Sequence, residues 1–142
     1  MSVEEKIVLR TVSKPDSTDF DDLTIWFIKV FGLDSRENRI ESEMFRTIVS
    51  NNTEGRGVTS KMLNKKLDVP RSTVIYHLNR FIYSGLVVRK GRKYYLRSED
   101  MHSTIEELHA DIEREFSRMM QFADMLDKSF EEKVYARRRS RK

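Results

Sequence analysis

The chain has 142 residues, of which 38% are hydrophobic and 35% charged, with a net charge of +4 and no cysteine. That length fits one compact domain with an appendage, or two very small units, and the missing cysteines exclude disulfides and thiolate metal sites. The longest apolar run, Ile25–Val30 with Lys29 inside it, falls far short of the about 20 residues that a membrane span needs, and MSVEEKIVLR lacks the basic start and apolar core of a signal peptide. The expectation is a soluble cytoplasmic protein, without membrane association, that combines a small core with long solvated helices.

Residues 1–18 read as an N-terminal arm, in which KIVLRTV suits either a short strand or a loosely held segment before Pro15. STDFDDL then offers N-cap residues and acids suited to a helix start. Leu23, Trp26, Phe27, Val30 and Phe31 recur at helical spacing, which predicts a short amphipathic helix over about 19–31, ended near Gly32. Its aromatic side chains suit packing on the domain, or a partner-docking surface. Ser35 opens a second helix to about residue 50, with Ile40, Met44, Phe45, Ile48 and Val49 inward, before the turn-rich NNTEGRG.

Thr59 caps a third helix, with Met62, Leu63 and Leu67 inward, and Asp68-Val69-Pro70 makes a tight turn because a residue before proline leaves the helical region. A fourth helix, RSTVIYHLNRFIYSG, has Val74, Leu78, Phe81 and Ile82 apolar and Gly85 placed for a left-handed cap. LVVR and KYYLR flank Lys90-Gly91-Arg92 as a two-stranded hairpin. Ser103 and Glu106 fit a capping box at the head of one long helix, free of Gly and Pro to about Val134 and about 45 Å long. The basic tail ARRRSRK at 136–142 is expected to be disordered.

Charge is segregated along these elements. Residues 56–97 hold eleven Lys and Arg against Asp68 alone, whereas residues 99–132 are rich in acids against Arg114, Arg118 and Lys128. The first block suits a polyanion and the second would repel one.

The stretch VTSKMLNKKLDVPRSTVIYHLNRFIYSGLVVRKGRKYYL resembles the DNA-binding core of ArsR-type and MarR-type bacterial and archaeal regulators, most closely over STVIYHLNRFIYSGLV. About 40 residues carry the likeness. It implies a mainly α fold with a small β-hairpin wing: a winged helix-turn-helix domain over 35–98, preceded by the amphipathic helix within 19–34 and followed by a long C-terminal dimerisation helix over 99–135. It also implies that residues 71–84 form a recognition helix lying in the major groove of duplex DNA. Helical phase agrees, leaving Ser72, Thr73, Tyr76, Asn79, Arg80 and Tyr83 outside with Arg71 at the start. Hydroxyls and an amide suit base edges or phosphates, and Arg80 suits phosphate or a guanine edge. Lys61 and Lys65 on the preceding helix, with Lys66, suit the DNA backbone, and Arg89, Lys90, Arg92 and Lys93 on the wing suit phosphate or the minor groove. By family position and helical phase His77 is a structural, partly buried histidine.

Ile105, Leu108, Ile112, Phe116, Met119, Ala123, Leu126 and Phe130 advance in steps of three and four, a coiled-coil-like stripe. Pairing with the same helix of a second chain would cover it, and related regulators commonly dimerise through terminal helices. The expected protein is thus a homodimeric, sequence-specific transcription regulator, with any small-molecule effector unidentified. The alternative is a winged-helix module that docks on protein without reading DNA. His102, Glu106 and His109 fall at i, i+4 and i+7, with Glu113 one turn on, but this spacing departs from the family's usual aspartate–histidine metal pattern. No metal and no cofactor is assigned. No glycine-rich phosphate loop or nucleophile–base set stands out, so no enzyme activity is expected.

Overall fold

The computed structural model describes residues 9–34 and 38–140. They form α1 (Phe20–Val30), α2 (Asn38–Thr53), β1 (Val58–Thr59), α3 (Ser60–Leu67), α4 (Arg71–Ser84), β2 (Val87–Lys90), β3 (Lys93–Leu96) and α5 (Met101–Ser140). The chain divides into two units, residues 1–105 and 106–142. The first is helices around a small antiparallel sheet, and the second is the body of α5.

Local chemistry sets the helix ends. Asp19 caps α1, its carboxylate accepting the Asp22 backbone N–H at 2.8 Å. That bond, with help from Ser17, holds the Asp19 carboxyl below its ordinary range. At the other end Gly32 takes a positive φ of 66°, and the N–H groups of Gly32 and Leu33 bond back to the carbonyls of Lys29 and Ile28 at 3.1 and 2.9 Å. This is a Schellman stop, whose left-handed position favours glycine. Residues 9–19 hold no helix or strand. Arg10 N–H donates to the Val30 carbonyl at 2.8 Å, and the Trp26 indole donates to the Ser13 carbonyl at 2.7 Å. Residues 1–8 of the expected arm, and Ser35, the expected start of α2, lie outside the described residues.

Thr59 caps α3 as expected, accepting the Met62 N–H at 3.1 Å. The turn into α4 passes through Asp68 in the left-handed region, and Gly85 closes α4 with φ 87°. α4 buries Val74, His77, Leu78, Phe81 and Ser84. The Phe81 ring lies 5.7 Å from that of Phe45 on α2, at the centre of a core that also holds Ile28, Met44, Ile48 and Leu63. α1 packs on α2, α3 on α4, α4 on β2 and α2 on β3.

The sheet departs from expectation by one strand. The hairpin pairs Val87 with Leu96 and Lys90 with Lys93 around a Gly91-Arg92 turn, and β1 adds to the far side of β3 in the order β1-β3-β2. Val58 sits opposite Tyr94 and Thr59 opposite Lys93. Gly57 makes this approach feasible, since a Cβ there would stand 2.7 Å from the Tyr95 ring and 2.8 Å from the Lys93 Cβ. Asn52 ties the sheet to the next element. Its oxygen accepts the Leu96 N–H at 3.0 Å while its amide nitrogen donates to the Ser98 and Glu99 carbonyls at 3.0 and 2.9 Å.

α5 also differs at both ends. It begins one turn earlier than the expected capping box, because Asp100 takes the cap and accepts the Ser103 N–H at 2.7 Å. That bond lowers the Asp100 carboxyl from its ordinary range. The helix then continues through Ser140, so residues 136–140 of the expected disordered tail are helical, and at 1.5 Å per residue the helix spans about 60 Å. Within residues 106–140, exposed ion pairs about one turn apart include His109–Glu113 at 3.1 Å and Arg118–Glu115 at 3.5 Å, which support an exposed helix. Among the described residues, no helix is long and apolar enough to cross a membrane.

Candidate nucleic-acid interface

The basic block of residues 56–97 falls on α3, α4 and the hairpin. On α3, Lys61 and Lys65 are exposed, as is Lys66, whose ammonium donates to the Thr47 hydroxyl on α2 at 2.9 Å. Burying one face of α4 turns Ser72, Tyr76, Asn79 and Tyr83 outward at steps of four, three and four, and all four are exposed with Arg71 beside them. Thr73 is half-buried at the edge of this strip. Tyr76 and Tyr83 are 59% and 75% exposed, a large aromatic area for a face that covers nothing in its own core. The strip therefore offers hydroxyl, amide, aromatic and guanidinium groups and no acid.

On the hairpin, Arg89, Lys90, Arg92 and Lys93 are all exposed. Two of them are held by neighbours rather than waving free. The Arg89 guanidinium lies 5.6 Å over the Tyr94 ring and donates to the Gly91 carbonyl at 2.8 Å. The Lys90 ammonium lies 5.6 Å over the Tyr95 ring. Aromatic faces attract cations through their quadrupole, so these charges are pre-positioned at the turn.

Arg80 departs from the sequence expectation. Its guanidinium turns inward, donating to Glu41 Oε1 at 3.0 Å, to the Leu33 carbonyl at 3.2 Å and to the Gly32 carbonyl at 3.0 Å. Its side chain is only 26% exposed, against 1% for Glu41. Position 80 lies on the flank of α4, beside His77, and a buried carboxylate draws in the nearest cation. Glu41 also stands 3.3 Å from the Nδ1 of His77, which is fully buried where partial burial was expected. Arg80 thus joins α4 to α2 and to the end of α1. The sequence reading missed Glu41 because it lies 39 residues from Arg80, although an acid between the apolar Ile40 and Met44 was a signal of a buried charge.

On α5, Ile105 and Ile112 are half-buried and Leu108 is buried, whereas Phe116, Met119, Ala123, Leu126 and Phe130 are exposed. Among the described residues no group of three His, Asp or Glu side chains is placed to hold a metal ion. No protein-family model, curated protein or solved structure matches this chain.

Proposed function

We propose that the chain is a winged helix-turn-helix regulator of transcription that binds duplex DNA as a homodimer in the cytoplasm. One observation carries this reading: the exposed faces of α3, α4 and the hairpin concentrate basic and hydrogen-bonding side chains with almost no acid. In this reading Ser72, Tyr76 and Asn79 face base edges, and Arg71 flanks them. Lys61, Lys65, Arg89, Lys90, Arg92 and Lys93 meet phosphates, while Thr73 lies at the rim. Arg80 leaves the reading set and becomes a support beneath it. The likeness to ArsR-type and MarR-type regulators over VTSKMLNKKL and STVIYHLNRFIYSGLV supports the same fold and partner. The exposed rings of Tyr76 and Tyr83 favour a second reading, in which the same strip docks on a protein.

A salt titration of duplex binding separates them. Each neutralised phosphate steepens the dependence of log K on log salt by about 0.9. The substitutions Lys90→Ala and Arg92→Ala together are expected to flatten that slope by about 2 without altering sequence preference, and Asn79→Ala to alter preference with little change of slope. Absence of duplex binding at low salt overturns the DNA reading.

A further inference from the structure

The exposed apolar run of α5 extends from Phe116 to Phe130, and Ala123 stands midway, seven residues from each. The charges flanking this run are opposite in net sign. Residues 106–115 carry five acids against Arg114, whereas residues 131–142 open with Glu131 and Glu132 and then carry six bases and no further acid from 133 onward. The acidic segment and the basic run from 133 start eight and ten residues from Ala123, so they are nearly symmetric about the centre of the apolar run.

We propose that this face pairs with the same face of a second copy in antiparallel orientation, with the two-fold axis close to Ala123. The inference rests on the homodimer reading above and adds which way the helices run. A parallel pair would set the two basic ends side by side, and likewise the two acidic segments. An antiparallel pair sets each basic end along the other copy's acidic segment while Phe116 of one copy meets the region of Phe130 of the other. Packed helices lie about 8–10 Å apart, inside the screening length at physiological salt, so this choice carries electrostatic weight. Like charges juxtaposed across a helix pair are a recognised device for rejecting one arrangement. The side chains already present make the acidic segment accessible: His109 and Glu113 have side chains 70% and 67% exposed.

The chain has no cysteine, so single-cysteine variants of the full chain report the orientation directly. His109 and Arg137 each lie fourteen residues from Ala123. In the antiparallel pair His109 of one copy faces Arg137 of the other, while the two copies of either residue stand about 42 Å apart along the axis. With a short bismaleimide, a mixture of His109→Cys and Arg137→Cys chains is expected to cross-link as a heterodimer, and neither chain alone. Ala123→Cys is expected to cross-link with itself. Homodimers from His109→Cys alone and Arg137→Cys alone, without the heterodimer, overturn the antiparallel orientation and leave dimerisation intact.

Sedimentation of the unmodified chain gives an independent sign. Raising salt from about 0.05 to 0.5 M is expected to weaken the antiparallel dimer about tenfold, because attraction between its ends is screened. Tightening with salt points to like-charged neighbours and overturns the proposal. A monomer at all concentrations overturns it together with the homodimer reading, whereas duplex binding, measured on the same preparation, stands or falls by itself.

Discussion

Arg80 separates a support from a reader, because its inward geometry and its outward sequence expectation predict different failures. Arg80→Ala removes three hydrogen bonds, of which one goes to a carboxylate only 1% exposed. Deleting one partner of a buried ion pair costs about 3–5 kcal/mol, chiefly because the other charge stays behind in a poor solvent. The guanidinium is 26% exposed, so water replaces it in part, and the lower end, about 3 kcal/mol, is the expected loss. For a unit of about 100 residues this corresponds to a fall in Tm of about 12–24 °C. Urea and thermal denaturation followed by circular dichroism measure it. A double variant, Arg80→Met with Glu41→Gln, is expected to lose at least about 1 kcal/mol less than the two single variants together. A variant Arg80→Ala that unfolds within about 0.5 kcal/mol of the parent and yet loses duplex affinity would refute the structural role and return Arg80 to the proposed DNA-reading set.

Two further perturbations test the frame around the interface. Gly57→Ala drives a methyl into the Tyr95 ring and the Lys93 Cβ, at 2.7 and 2.8 Å. The expected cost is about 1–3 kcal/mol, with amide exchange rising first in β1; unchanged stability would mean that β1 is not held against β3 as described. The caps Asp19 and Asp100 both have lowered carboxyl pKa values, from the hydrogen bonds donated by the Asp22 and Ser103 backbones. A lowered folded pKa gives stability that is present above the ordinary carboxylate value of about 3.9 and lost as pH falls through the folded one. Helicity in acid is therefore expected to decline less steeply in the pair Asp19→Asn and Asp100→Asn, since asparagine caps without titrating. Identical acid profiles for parent and pair would contradict this.

Much of the frame was legible in the sequence because its signals are local. Gly85 and the Lys90-Gly91-Arg92 turn announced the α4 exit and the hairpin through backbone chemistry alone. The apolar spacing of Val74, Leu78 and Phe81 fixed the phase of α4 and hence its outward strip. β1 escaped notice because two residues cannot display an alternation, and its place depends on Gly57 lying under a ring 38 residues away. The start of α5 was misplaced at Ser103, because its fit to a capping box hid Asp100, an equally good cap three residues earlier. The inward turn of Arg80 was illegible for a deeper reason. Its rotamer is chosen by a carboxylate and two carbonyls on other elements, and nothing near position 80 encodes them.

Asn52 shows how narrow the chemical choice at one position can become. Its carboxamide must accept once, from the Leu96 N–H, and donate twice, to Ser98 and Glu99, all within one short reach. Aspartate would put negative charge against two carbonyls, leucine would offer the shape without any polarity, and glutamine would overshoot by a methylene. The junction between sheet and α5 thus has an alphabet of a single letter. A library of all side chains at position 52, sorted for folded protein, should return asparagine almost alone, in contrast to the permissive exposed positions beside it.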